Sequence, residues 1–294
     1  MTHRVLHLSD PHLAAPGVDN YGVDAGASLD RILYDARFVP DIDLVVVSGD
    51  LADDGSVEGY VGVLDRVGRF AAERGIPHVY TTGNHDIRKP FASVLGSGHL
   101  SPDGTDIGRL LDATSEVRAA VSEVSGLRVI TLDSLVPGSV HGHVGEDQLE
   151  WLRTTLAEPA PAGTIVVLHH PPIAVHSSPF MKSVGLRNPA DLGAAVAGSD
   201  VHVVLCGHFH LQLTGLLQGV PVWATPGVIT RIDLTALPGL DRAVKGAGAT
   251  VVDLGGPASP MFHTLQARDP EAGAQVYLLN SLTGAVVEDE SASL

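Results

Sequence analysis

Short apolar runs that each end in a polar cluster recur along this chain, and they constrain its fold more than any other feature. Val5 to Leu8 leads into Asp10-Pro11-His12, Ile42 to Val47 into Gly49-Asp50-Leu51-Ala52-Asp53, and His78 to Thr81 into Gly83-Asn84-His85-Asp86. Thr164 to Leu168 precedes His169-His170-Pro171-Pro172, and Val201 to Leu205 precedes Cys206-Gly207-His208-Phe209-His210. Arg128 to Leu132 and Val220 to Trp223 are two further runs of the same kind. Short aliphatic runs bounded by turn formers read as strands buried on both faces. Between them Leu29, Ile32, Leu33 and Ala36, then Tyr60, Val61, Leu64, Val67 and Ala71, then Leu149, Leu152 and Leu156 follow the 3.6-residue helical period. Asn188-Pro189 reads as an N-cap followed by Pro at the first position of a short helix. Strands alternating with helices predict α/β layering. Ligands of such sheets bind beyond the carboxyl ends of the strands, so the polar clusters are expected to converge in space.

Two stretches break the rhythm. Residues 87–126 read as an excursion from the sheet, with a helical pattern near Ile107 to Val124. From Leu234 onward the chain is rich in Gly, Ala and Pro, with strand-like runs at Thr250 to Leu254, Met261 to Leu265 and Gln275 to Leu279. The expected organisation is therefore a principal domain over 1–233 and an extension over 234–294, either a cap or the arm of a homodimer, with an acidic tail from about residue 288.

Charge and cysteine content exclude several classes. Lys and Arg number 18 against 34 Asp and Glu, a formal net charge of −16 that repels a nucleic-acid polymer. A single cysteine, Cys206, permits neither an internal disulfide nor a cysteine-rich zinc site. The apolar runs fall far short of the roughly 20 residues of a membrane helix, and the start of the chain lacks the apolar core of a signal peptide. The expectation is a cytoplasmic protein without membrane insertion.

Fifteen histidines in so acidic a chain need a use. The clusters supply Asp10, His12, Asp50, Asn84, His169, His208 and His210. Mixed oxygen and imidazole donors suit first-row transition metals and are too nitrogen-rich for calcium or magnesium. Any one of these residues, taken alone, is more simply a helix cap or a hydrogen-bonded loop residue. Together they exceed the ligand count of one ion and point to two ions sharing a carboxylate, an arrangement suited to phosphoryl substitution.

The ordered set Asp-x-His, Gly-Asp, Gly-Asn-His-Asp, His-His-Pro and Gly-His-x-His resembles the calcineurin-like metallophosphoesterase superfamily. The His169-His170-Pro171-Pro172 form, Leu132-Asp133-Ser134 and Gln148-Leu149-x-Trp151-Leu152 are similar to the bacterial class III cyclic-nucleotide phosphodiesterases and their glycerophosphodiesterase relatives. The resemblance implies a four-layer α/β/β/α sandwich with two central sheets. It implies that Asp10, His12 and His210 hold one metal, that Asn84, His169 and His208 hold the other, and that Asp50 bridges them. The ions would be iron with manganese, two manganese, or zinc. His85 would face the substrate phosphate beside Asn84, as general acid or electrostatic clamp, with Asp53 orienting it and a metal-bridging hydroxide attacking phosphorus. His170 is assigned a substrate-binding or supporting role. Arg88 and Lys89 follow the Asn84-His85 loop within reach of a phosphate, although cations after a loop are usually solvated. The implied substrate is a small phosphate diester: 3′,5′-cyclic AMP or a 2′,3′-cyclic nucleotide first, then glycerophosphodiesters and pyrophosphates. A non-catalytic metal-binding scaffold is the rival from another class. Two such ions would add about +4 to +5 and turn an acidic crevice into an anion receptor.

Overall fold

The computed structural model describes residues 2–14 and 21–287, so the expected acidic tail lies outside the described residues. The chain starts with β1 (His3–Leu8), β2 (Leu44–Ser48) and β3 (His78–Thr81), parallel neighbours joined through α1 (Ala25–Ala36) and α2 (Val57–Ala72). Asp24 caps α1 by accepting from the Ala27 N–H, and Ser56 caps α2 by accepting from the Gly59 N–H. After α3 (Arg88–Leu95), β4 (His99–Leu100) pairs antiparallel with β3. A second sheet then begins with β5 (Arg109–Leu110), β6 (Ala120–Val124) and β7 (Leu127–Thr131). It continues after α4 (Glu146–Leu156) with β8 (Thr164–Val167), and after α5 (Pro179–Val184) and α6 (Pro189–Val196) with β9 (Val201–Cys206), β10 (Leu213–Leu217) and β11 (Val220–Ala224). The remaining strands are β12 (Arg231–Asp233), β13 (Leu240–Val244), β14 (Gly248–Leu254), β15 (Met261–Gln266), β16 (Gln275–Asn280) and β17 (Val286–Val287). The first sheet has the order β15-β14-β1-β2-β3-β4, the second β10-β11-β9-β8-β7-β6-β5, and a third, small sheet β12-β13-β16-β17.

Side-chain alternation stacks these layers. Val5, Leu44, Val46 and Val79 of the first sheet meet Val129, Ile165, Val167 and Leu205 of the second in one buried seam. Their neighbours Leu6, Leu8, Val45 and Val47 point the other way, onto Leu29 and Ile32 of α1, Val63 and Val67 of α2, and Phe91 of α3. On the far side Ile130, Val166 and Val204 pack against Leu149 and Leu152 of α4 and Leu192 of α6. The result is a four-layer α/β/β/α sandwich whose central strands are apolar on both faces, as their sequences require.

Three local expectations are corrected. The stretch Ile107 to Val124 contains β5 and β6 rather than a helix. Ser125 (φ 49°) and Gly126 (φ 86°) form a two-residue reversal whose left-handed backbone matches strand twist, and it pairs Val124 with Leu127. Asn188 occupies the N-cap position of α6 without capping it, because its amide instead accepts from the Val144 N–H (3.1 Å) and donates to the Val144 carbonyl (2.9 Å). The chain beyond residue 234 does not stand wholly apart: β14 pairs antiparallel with β1, from His3 opposite Leu254 to His7 opposite Thr250.

The sandwich holds neutral histidines. Burial keeps His78, bonded to the Tyr80 hydroxyl at 2.7 Å, uncharged down to about pH 4. His99 joins β4 to the second sheet through Ser122 Oγ (2.6 Å) and Thr131 Oγ1 (2.9 Å), and burial lowers its pKa to about 3. Unfolded, both would protonate near 6.5, so the unfolded state binds more protons between that value and the folded ones, and stability falls as pH drops through this window. Urea midpoints measured from pH 7 to pH 4 should therefore decline, and the His99→Gln variant should show a slope shallower by about one proton.

Candidate metal centre

Five loops at the carboxyl ends of the parallel strands bring the sequence-predicted residues together. Asp10 and His12 follow β1, Asp50 follows β2, Asn84 and His85 follow β3, His169 follows β8, and His208 and His210 follow β9. The loops are stitched to one another: the Asp10 N–H donates to the Gly49 carbonyl (3.1 Å), the His12 N–H to the Asp50 carbonyl (3.0 Å), and the Gly207 N–H to the His169 carbonyl (3.0 Å). Asp86, four per cent exposed, accepts from the N–H groups of Leu51, Ala52 and Gly83, fastening the second loop to the third. Asp10 (φ 56°), His12 (46°), Asp50 (48°), His208 (71°) and His210 (48°) all lie in the left-handed region that non-glycine residues avoid. Strain concentrated on residues of one cluster marks a site rather than a scaffold.

The side chains converge as the backbone predicts. His210 Nε2 lies 3.4 Å from Asp10 Oδ1 and 3.3 Å from His12 Nε2. His169 Nε2 lies 3.1 Å from Asp50 Oδ2 and 3.8 Å from Asp10 Oδ1, while His12 Nε2 is 3.6 Å from the same Asp50 oxygen. Asp50 thus touches both groups of imidazoles. The other ring nitrogens are committed elsewhere. His12 Nδ1 donates to Asp53 (2.9 Å), His169 Nδ1 to the Ser48 carbonyl (2.7 Å), and His210 Nδ1 pairs with Thr230 Oγ1 (2.8 Å). His208 is reversed: its Nε2 donates to the Val184 carbonyl at 3.0 Å, which leaves Nδ1 as its lone-pair nitrogen. Outer hydrogen bonds of this kind fix tautomers and aim imidazoles at a cation.

Charge and unmet hydrogen-bonding capacity support a metal centre. Burial opposes ionisation of Asp10 and Asp50, yet His210 and His169 hold the Asp10 carboxyl well below the usual carboxylate range, and His169 does the same for Asp50. Asp86 is pushed up to about 7 by burial and by the charge of Asp50. Asn84 Oδ1 is buried without a hydrogen-bond partner, and the buried His169 Nε2 meets only carboxylate oxygens, at 3.1 Å from Asp50 Oδ2 without a hydrogen bond. An unpartnered amide oxygen beside an imidazole crowded onto two carboxylates is what a bound transition metal would satisfy. Asp10, His12 and His210 form one group of donors within 4.8 Å of one another, and Asp10, Asp50 and His169 form another.

His85 stands at the rim. Burial works against its protonation, but Nδ1 donates to Asp53, at the carbonyl (2.9 Å) and at Oδ1 (3.2 Å), and with Asp50 nearby its pKa rises to about 10. His12 and His85, both bonded to Asp53, hold that carboxyl well below its ordinary range. His170 is not brought to the cleft: it is fully buried, its Nδ1 accepts from Ser134 Oγ (2.8 Å), its Nε2 donates to the Val140 carbonyl (3.2 Å), and its ring packs against His169 and His208. Arg88 does not face the site either, because its guanidinium clasps the buried Asp133 at 2.7 and 3.1 Å.

A cleft of about 620 Å³ opens above these residues. Its floor is His12, Asp50, Asn84, His85, His208 and His210, and no lysine or arginine is among the described residues that line it. The opposite wall is apolar and was not assigned from sequence: Phe180, Met181 and Val184 of α5, Phe209, and Ile232, Tyr277, Leu279 and Val286 of the small sheet. The one sequence signal for it was alternation in β16, where Tyr277 and Leu279 share a face.

Comparison with known proteins accords with this geometry. Residues 3–212 match the family model described as calcineurin-like phosphoesterase. The chain belongs to that family. It is 37% identical over 250 residues to a Rhodococcus erythropolis protein named "Probable cyclic nucleotide phosphodiesterase", covering 83% of this chain and 77% of that one. A Mycobacterium tuberculosis protein named as a cAMP/cGMP dual specificity phosphodiesterase is 36% identical over 247 residues, covering 83% and 73%. Among solved structures, a dimetal phosphatase from Danio rerio superposes with a TM-score of 0.56 at 14% identity, over 90% of this chain and 99% of that one, and shares the fold. In this calcineurin-like phosphoesterase the glycines of the motifs have a steric role. A methyl at Gly83 would overlap Asp50 Oδ1, and one at Gly49 (φ 93°) would lie 2.6 Å from His169 Nδ1. Gly83→Ala should therefore lower bound metal per chain while leaving the far-ultraviolet dichroism unchanged, whereas Gly145→Ala, with open space around its Cα, should retain metal.

Proposed function

We propose that this chain is a dinuclear-metal-dependent phosphodiesterase acting on small diesters, with 3′,5′-cyclic nucleotides as its substrates. The observation that carries the proposal is a dry cluster of imidazole and carboxylate donors at the floor of a cleft with no lysine or arginine among the described residues of its lining. Bidentate guanidinium contacts are a frequent way to match the extra charge of a monoester dianion. A diester carries one negative charge, which the metals and His85 suffice to balance. The names of the relatives from Rhodococcus and Mycobacterium favour a cyclic nucleotide among such diesters, and a cytoplasmic setting fits both that substrate and the lone buried thiol of Cys206.

In this reading Asp10, His12 and His210 hold one ion, Asn84, His169 and His208 hold the other, and Asp50 lies between them. Iron with manganese, a manganese pair and zinc all suit these donors. The bound metals supply Lewis-acid polarisation of the phosphoryl oxygens and a nucleophile drawn from water at neutral pH. His85 is the protein's own reacting group. Asp53 anchors its Nδ1, so Nε2–H is free to face the cleft. Held protonated by its bond to Asp53, it balances charge on the phosphoryl group and donates its proton to the departing ester oxygen, a far stronger base than imidazole. Asp53 orients His12 and His85 together. His170 acts from beneath, bracing the His169 and His208 rings. A metal-binding scaffold without activity would use the same donors, and turnover of a diester separates the two.

The test is a panel of 3′,5′-cyclic AMP, 3′,5′-cyclic GMP, 2′,3′-cyclic AMP, glycerophosphocholine and adenosine 5′-monophosphate with manganese-loaded protein. The 3′,5′-cyclic nucleotides should give the highest kcat/KM; preference for the monoester or for glycerophosphocholine would contradict the reading. His85→Ala should lower kcat by about 10²- to 10⁴-fold while metal content is unchanged.

A further inference from the structure

We propose that the apolar wall facing the metal centre is the subsite for the nucleobase, and that the rings of Phe180 and Tyr277 determine specificity by stacking on it. This rests on the cyclic-nucleotide reading above and concerns a part of the chain outside the metal motifs. The small sheet presents one face to the cleft, with Tyr277 and Leu279 alternating along β16 and Ile232 contributed by β12. Phe180 is added by α5. Apart from the hydroxyls of Tyr277 and of Tyr21, whose ring packs on Tyr277 (centroids 5.0 Å apart), the described residues of this wall offer no polar side chain, so it recognises a π face or an apolar surface rather than the hydrogen-bonding edge of a base. A glycerol or ethanolamine group has no π face, whereas stacking on aromatic side chains is how proteins hold bases without reading their edges.

The wall is held at a fixed distance from the metal donors. Ser178 Oγ donates to the buried Asp241 carboxylate of β13 (2.6 Å), and the Phe180 N–H donates to the Ser281 carbonyl (2.8 Å), so α5 and the small sheet form one unit. The Phe180 ring lies against Gly284, where a methyl would overlap it. At its other end α5 offers the Val184 carbonyl to His208 Nε2 (3.0 Å). The ring that would receive the base and an imidazole assigned to the metals are thus joined through a single short helix. A mononucleotide phosphate at the floor would leave its base within the same 620 Å³ cleft, against this wall.

The experiment compares Phe180→Ala, Phe180→Leu, Phe180→Trp and Tyr277→Leu in manganese-loaded protein. KM and kcat are measured for 3′,5′-cyclic AMP, and adenosine 5′-monophosphate binding is measured by equilibrium dialysis. Phe180→Leu keeps apolar volume and loses the π face. It and Tyr277→Leu should raise KM and weaken nucleotide binding about tenfold with kcat and metal content little changed, while Phe180→Trp should restore both. Full affinity in Phe180→Leu and Tyr277→Leu would overturn the stacking subsite even with cyclic-nucleotide turnover intact. If the unaltered protein bound adenosine 5′-monophosphate through these rings but hydrolysed only other diesters, the subsite would stand and the cyclic-nucleotide reading would fall.

Discussion

Two carboxylates, Asp10 and Asp50, are buried together at the meeting of the two sheets, and their partners are imidazoles and backbone N–H groups. Taking ionised carboxylates out of water costs several kcal/mol each unless positive charge compensates them. Here the compensation comes from His169, whose protonation is opposed by burial but favoured by Asp50 and Asp10, and the neighbouring Asp86 is already driven toward its neutral form. Such a cluster is strained as bare protein and relieved by cations. The left-handed backbone of five site residues, the loop-to-loop hydrogen bonds and the glycines at 49 and 83 all serve to hold these carboxylates where cations would sit between them.

The sandwich supports this arrangement. Parallel strands end in register, so loops from both sheets open on one edge, and the aliphatic runs of the strands give way to polar clusters at those ends. The wall across the cleft comes from a different part of the chain. The small sheet and α5 carry no metal motif, yet they close the cleft over the donors and touch them through His208 and Val184. The donors and the apolar wall thus come from separate parts of the chain, so under the proposals above chemistry and recognition could change independently.

This division also explains what could be read from the sequence. The residues converging at the centre were legible because each sits just past a strand whose apolar run is unmistakable, as with Leu44 to Ser48 before Asp50 or Val201 to Cys206 before His208. The helical reading of Ile107 to Val124 failed because the Ser125-Gly126 reversal that makes β6 a hairpin strand lies just past it. The placement of β14 beside β1 depends on pairing between residues some 240 positions apart, which no local pattern encodes. His170 reads from its motif as either a substrate contact or a supporting residue, and only the bonds to Ser134 and Val140 show that it faces inward. The wall was barely legible for the same reason: alternation in β16 marks a face, but Phe180 and Tyr277 become neighbours of the site only after the third sheet folds over it.

The proposed function places Asp50 between two ions. Electron paramagnetic resonance of the manganese-loaded protein reads this out: about two manganese ions per chain should give the multiline spectrum of a spin-coupled pair, with coupling lost in Asp50→Asn. A wild-type protein that binds a single ion, or whose ions give only the spectrum of isolated manganese, would contradict it.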